Sequence, residues 1–267
     1  MTVTPREATN AGVRLAYELR GSGEPVLLVH GLGYARWGWE PVAAPLAEDF
    51  LVVLFDNRGI GESDVPAGPY TVAELAGDAC AVLDAAGIER ADVVGTSLGG
   101  MVAQELALSH PERVERLVLA CTTPGGPGAY PMPAQTIALM LEAPTLPLEQ
   151  ALRRFVENAL SPRTVSERPE LVERIYGFRL ANPLDPRGWQ AQAAAGASFD
   201  RLARVGEIRA PTLVVTGTDD NVVDPRNSEL LAERIPDARL ERMPGTGHLF
   251  FWEQPERFHE LVRKFLQ

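Results

Sequence analysis

The chain has 267 residues, a length that α/β folds reach as one unit. A hydrophobic share of 45% and a charged share of 23% suit a packed globular core and exclude general disorder, which is expected only at the first few residues. With 25 Lys and Arg against 36 Asp and Glu, the formal charge of -11 removes the electrostatic basis for binding nucleic acid or an anionic membrane surface.

Residues 14–19 alternate apolar and polar side chains and predict an antiparallel edge strand. Residues 26–29 form an apolar run closed by His30 and Gly31, the pattern of a strand buried on both faces. Residues 51–55 repeat it and stop at Asp56-Asn57-Arg58-Gly59. Residues 71–86 place Leu75, Ala79, Val82 and Leu83 on one helical face, with Gly87 as the C-terminal stop. A short strand through Val93 and Val94 leads into Gly95, and a helix follows over residues 98–108. Further strands are expected at residues 117–120, 213–215 and 239–243. The last helix, residues 254–266, carries Phe258, Leu261, Val262 and Phe265 on its apolar face, with Pro255 in its first turn. Strands alternating with helices predict an α/β fold with a mostly parallel sheet flanked by helices.

Residues 124–208 interrupt the alternation. Prolines recur there, no strand is evident, and helix-like segments occupy residues 134–141, 148–160, 170–180 and 188–205. This predicts a helical cap inserted into a core made of residues 1–123 and 209–267. Cys80 and Cys121 are the only cysteines and make neither a disulfide framework nor a metal cage; both are expected to be core packing. The N-terminus lacks the apolar centre of a signal peptide, and no apolar run approaches the ~20 residues needed to cross a bilayer. A cytoplasmic location is the corresponding expectation.

Gly95-Thr96-Ser97-Leu98-Gly99 spells G-x-S-x-G between a predicted strand and a predicted helix. The chemistry needs that context, because a sharp strand-to-helix turn lifts the serine hydroxyl above the sheet. The Leu98 amide, at the helix N-terminus, would face a developing oxyanion, and the Leu32 amide is the expected second donor. A serine needs a base to take its proton. Of the four histidines, His110 lies in a turn, His259 on the final helix and His30 at a strand end, where a structural role is expected. His248 lies in a glycine loop after the last strand, above the edge where α/β sheets bind ligands, and is the expected base. The acid should follow the strand at residues 213–215, where Asp219, Asp220 and Asp224 compete and spacing does not choose among them. The loop after residues 117–120 offers no carboxylate.

His30-Gly31-Leu32-Gly33, residues 56–63, residues 95–100, Gly217-Thr218-Asp219-Asp220 and Gly247-His248 together resemble the α/β-hydrolase superfamily over nearly the whole chain. The resemblance selects Asp220 as the acid, assigns Asp56 and Arg58 to stabilising the loop after their strand, and identifies the insertion with the family's cap. Gly68-Pro69-Tyr70 and residues 83–90 are similar to the branch holding 3-oxoadipate enol-lactonases, esterases and acyl-homoserine-lactone lactonases. It implies a serine hydrolase of esters or lactones, with carbon–carbon bond hydrolysis, cofactor-free perhydrolase or haloperoxidase chemistry, and a non-catalytic receptor as alternatives. A small-molecule substrate is expected, and no metal or organic cofactor is called for. Trp37, Trp39, Met132, Met140, Phe155, Tyr176, Phe178 and Trp189 are candidate apolar walls, and Arg153 and Arg179 candidate contacts for a substrate carboxylate. Nothing in the sequence addresses oligomeric state.

Overall fold

A computed structural model describes residues 6–267; the expected disorder of the first few residues falls outside this range. Eight strands form one sheet: β1 (Arg6–Asn10), β2 (Val13–Gly21), β3 (Pro25–Val29), β4 (Leu51–Phe55), β5 (Ala91–Thr96), β6 (Val114–Ala120), β7 (Thr212–Gly217) and β8 (Ala238–Met243). Their spatial order is β1-β2-β4-β3-β5-β6-β7-β8. The pairs β1–β2 and β2–β4 are antiparallel and the other five are parallel.

The helices are α1 (Glu40–Leu46), α2 (Val72–Ala85), α3 (Leu98–Ser109), α4 (Ala134–Glu142), α5 (Leu148–Ala159), α6 (Pro162–Glu167), α7 (Pro169–Ala181), α8 (Pro186–Ala197), α9 (Arg226–Arg234), α10 (Phe250–Glu253) and α11 (Pro255–Leu266). None is long and apolar enough to cross a membrane.

The period of two along each strand divides the core. Leu27, Val29, Val53, Phe55, Val93, Leu117 and Val214 face one side, packed with α2, α3 and α9 through Leu75, Val82, Leu106 and Leu231. Val26, Leu28, Val52, Leu54, Val94, Val118, Leu213 and Val215 face the other, covered by α1, α10 and α11. Both faces are dry, which explains why these strands read as continuous apolar runs.

Two expectations are corrected. β2 is not the edge strand, because β1 pairs outside it with Ala8 opposite Leu15. Only Ala8 of β1 is buried, so this short polar strand carries almost no apolar signal. The helix expected over residues 188–205 ends at Ala197, where the chain turns to rejoin its own point of departure. Gly126 N donates to Phe199 O at 3.1 Å and Arg201 N to Pro124 O at 2.8 Å, so residues 124–126 and 199–201 lie side by side. Between β6 and β7 the chain passes through α4 to α8 without a named strand. Helices α1, α6, α9 and α10 were not anticipated: α1 contains Pro41 and Pro45, and α9 buries only Asn227, Ser228 and Leu231.

The loop after β4 is tied in both directions. Asp56 accepts from the amides of Arg36 at 2.7 Å and Glu62 at 2.9 Å, while Arg58 grips Asp78 of α2 through two bonds of 2.6 and 2.7 Å. A bidentate guanidinium–carboxylate pair is an ordering device for a buried loop. Both cysteines are free; Cys121 is buried and Cys80 half-buried.

Candidate active site

Ser97 joins β5 to α3 with φ 54° and ψ -119°, a conformation that L residues rarely adopt. Four hydrogen bonds hold it. Its amide donates to Ala120 O at 2.9 Å, its carbonyl accepts from Thr122 Oγ1 at 2.7 Å, and α3 begins on its carbonyl through Gly100 N and Met101 N. The flanking glycines allow β5, α3 and β3 to meet: a Cβ on Gly95 would strike the Gly99 carbonyl, and one on Gly99 the Val29 carbonyl. Ser97 is half-buried, and its hydroxyl makes no hydrogen bond among the described residues.

The loop after β3 lies against this turn. A Cβ on Gly31 would stand 2.9 Å from Ser97 Cβ and 3.5 Å from Oγ. Gly31 N donates to His30 Nδ1 at 2.7 Å, Gly33 N to Gln192 Oε1 at 3.3 Å, and Arg179 Nη1 donates to Gly33 O at 2.6 Å. The Leu32 amide between them, and the Leu98 amide at the head of α3, have no backbone acceptor among the described residues.

His248 and Asp220 come from the loops after β8 and β7. His248 Nδ1 lies 2.8 Å from Asp220 Oδ2, and Asp220 Oδ1 accepts from the amides of Val222 at 2.8 Å and Val223 at 2.9 Å. Both side chains are buried. Burial is the largest single influence and disfavours the charged ring, but the Asp220 carboxylate, through its charge and its hydrogen bond, and the neighbouring Cys121 sulfur together outweigh it and hold the His248 pKa well above its usual value. The thiol of Cys121, the residue after β6, faces both the Ser97 backbone and the His248 ring, and burial pushes its own pKa up.

The competing acids are placed elsewhere. Asp219 is exposed, and Asp224 pairs with Arg226 at 2.5 Å. His30 is enclosed by Tyr34, Trp39 and Phe251, and burial lowers its pKa to about 3. His110 lies 3.7 Å from Glu112, and His259 is half-buried on α11.

The candidate walls separate into groups. Trp189 packs beside Gly33, where a Cβ would meet its ring at 3.0 Å. Trp37 stacks on Phe178 with ring centroids 5.5 Å apart, and Phe178 in turn meets Trp252. Trp39 is wholly buried and can line no cavity, which corrects that expectation. Tyr176 lies under Arg153 at 4.7 Å, Met132 is 41% exposed, and Met140 and Phe155 are half-buried. Arg153 pairs with Glu173 at 2.7 Å, whereas Arg179 lies over the Tyr34 ring at 3.9 Å beside the loop after β3.

Two buried side chains escaped the sequence reading. Gln192 on α8 spans two loops, taking the Gly33 amide and donating to Arg58 O at 2.8 Å. Glu253 closes α10 and accepts from Gly247 N at 2.6 Å. Gln192 gave no signal within an Ala- and Gly-rich helix; Glu253 gave one, as a lone acid ending the apolar run Leu249-Phe250-Phe251-Trp252.

The family model described as alpha/beta hydrolase fold matches residues 24–255. The chain is an α/β hydrolase. It is similar to 2-hydroxy-6-oxo-6-phenylhexa-2,4-dienoate hydrolase of Comamonas testosteroni, at 35% identity over 94% of this chain and 90% of that one. Among solved structures, this hydrolase is similar to Est816, described as an N-acyl homoserine lactone degrading enzyme, at 34% identity and TM-score 0.84 over 97% of this chain and 100% of the other. The enol-lactonase from Burkholderia xenovorans LB400 matches at 27% identity and TM-score 0.86 over 98% and 99%. The two structural likenesses fall in the branch that the sequence resemblance named, and the dienoate hydrolase falls outside it.

Proposed function

We propose that this hydrolase cleaves carboxylic esters or lactones through an acyl-enzyme formed on Ser97. The observation that carries the reading is the 2.8 Å contact between Asp220 and His248, made beside a serine held on a strained strand-to-helix turn. His248 takes the Ser97 proton as the hydroxyl attacks the carbonyl, and the Asp220 carboxylate steadies the imidazolium and its tautomer. The separation of Ser97 Oγ from a hydrogen bond suits a free enzyme, in which such contacts are commonly long and tighten with substrate. The Leu32 and Leu98 amides receive the oxyanion, each contributing on the order of 2.7–4 kcal/mol. His248 then protonates the leaving alkoxide, and water attacks the acyl-enzyme by the same route.

The helices between β6 and β7 act as the cap in this reading, with Trp189 beside the loop that supplies Leu32. The likeness to Est816 and to the enol-lactonase supports ester and lactone substrates. The 35% identity to a dienoate hydrolase favours one second reading, cleavage of a carbon–carbon bond next to a ketone by the same residues. A panel of p-nitrophenyl esters, aliphatic and acyl-homoserine lactones, vinylogous 1,5-diketones and peroxide with halide separates these, with Ser97→Ala as control. Ester or lactone turnover lost in Ser97→Ala sustains the proposal. Faster turnover of the diketones than of any ester would replace it with the second reading, and peroxide-dependent halogenation with the perhydrolase. Saturable binding without turnover would place the protein among receptors.

A further inference from the structure

Glu253 is 4% exposed, and no cationic side chain lies within ion-pair distance of its carboxyl among the described residues. A buried acid of this kind is costly unless its oxygens are hydrogen-bonded. Here neutral donors converge on it from two parts of the molecule. Gly247 N reaches Oε1 at 2.6 Å, and Ser161 N reaches the same oxygen at 3.3 Å. Ser161 Oγ donates to Oε2 at 2.8 Å, and Thr164 Oγ1 makes a short bond to that oxygen.

Gly247 immediately precedes His248, and Ser161 caps α6. On the other side of the histidine, Leu249 N donates to Ala159 O, at the end of α5, at 2.9 Å. The residues flanking His248 are therefore held by the α5–α6 junction. The packing is direct: a Cβ on Gly247 would lie 2.6 Å from the Leu160 carbonyl carbon and 2.7 Å from Ser161 N. On the sheet side the loop is tied before the histidine, by Thr246 Oγ1 to Met243 O at 2.8 Å and by Gly245 N to Thr218 Oγ1 at 2.9 Å, whereas Gly247 itself has no side chain to anchor it.

We infer that Glu253 is a positioning residue that sets the place of His248 over Ser97 by clamping its loop to the helical insertion. The inference rests on His248 being the base. The ionisable groups facing the ring are Asp220, the Cys121 thiol and, farther off, His30, which is neutral above about pH 3. A ring freed from the clamp drifts from Asp220, loses the carboxylate that raises its pKa, and titrates lower.

The test compares Glu253→Met, similar in length but without acceptors, with Glu253→Gln. The glutamine keeps an oxygen for Gly247 N, and its amide can donate to the Ser161 and Thr164 hydroxyls once these rotate. Glu253→Met is expected to lower kcat about 10–10²-fold with KM changed less than about twofold, since a displacement of about 1 Å can cost that much. The acid limb of its kcat/KM profile should move to lower pH, while Glu253→Gln keeps most of the activity and the wild-type limb. A folded Glu253→Met with wild-type kcat and an unmoved limb overturns the inference, as does a Glu253→Gln equally damaged. If Glu253→Met does not fold, Ser161→Ala combined with Thr164→Val cuts the insertion's side alone; a lowered limb sustains the clamp and an unmoved one overturns it. His248→Ala is assayed alongside. Activity surviving that change removes the base assignment itself, whereas its loss beside a normal Glu253→Met removes only the clamp.

Discussion

Gly31 lies so close to Ser97 that a methyl group on the glycine would stand 2.9 Å from the serine Cβ. The loop that offers the Leu32 amide is thus seated on the turn that carries the hydroxyl, and nothing larger than hydrogen fits between them. Gly31→Ala is expected to push the loop off Ser97 and lower kcat/KM by about 10²-fold, the usual scale for a displaced donor. Steady-state kinetics with a short p-nitrophenyl ester checks this; an alanine variant with wild-type kcat/KM would detach that loop from the chemistry.

The strained backbone at Ser97 carries its own consequence. Replacing it with glycine, which tolerates φ 54°, should relieve about 1 kcal/mol of strain. For a domain of this size that raises Tm by about 2–4 °C. Ser97→Gly is expected to melt higher than Ser97→Ala while both lose ester turnover. Equal melting temperatures in calorimetry would limit the strain to the roughly 0.4–1 kcal/mol that glycine forfeits through its freer unfolded chain.

Asp220 raises the pKa of His248, so under the proposed mechanism it also sets where the base becomes neutral. Asp220→Asn should lower kcat by about 10⁴-fold and move the acid limb of kcat/KM to lower pH. Asp224→Asn, which removes only a partner of Arg226, should leave both unchanged. The sign for stability follows. A histidine whose folded pKa exceeds the unfolded 6.5 contributes stability below that pH and loses it as pH rises through the folded value. The stability difference between wild type and Asp220→Asn should therefore shrink as the solution is made alkaline, as denaturant titrations at several pH values would show.

His30 behaves in the opposite way. Burial holds its pKa at about 3 against an unfolded 6.5, so the native ring stays neutral while the unfolded one takes a proton. Nothing is lost above pH 6.5, and stability falls steadily as pH drops toward 3. Between pH 7 and about pH 4.5 the loss is roughly 3 kcal/mol at one pK unit per 1.4 kcal/mol. His30→Gln is expected to flatten this part of the stability profile even if its stability at pH 7 is lower; an unchanged slope would move the acid sensitivity to another group.

Much of the frame was legible because parallel strands buried on both faces have to be apolar without interruption. β3 and β4 could be read to the residue or nearly so, and α2 and α11 from their apolar stripes. β1 was not legible, because an edge strand with one buried residue need not be hydrophobic. α9 was hidden for the same reason, and α1 because its prolines read as breakers although both are accommodated.

The sequence by itself determined the kinds of chemistry available: a serine between glycines at a strand-to-helix junction, a histidine in a late glycine loop, and acids in the loop between. These follow from local backbone geometry, which a few neighbouring residues dictate. The family resemblance pointed to Asp220; only the tertiary structure showed it meeting His248, turned Arg179 toward Gly33 while Arg153 pairs with Glu173, and let Gln192 and Glu253 tie the helices between β6 and β7 to the loops around Ser97. Those relations join residues far apart in the chain, whose distances are set by how the helices pack on the sheet.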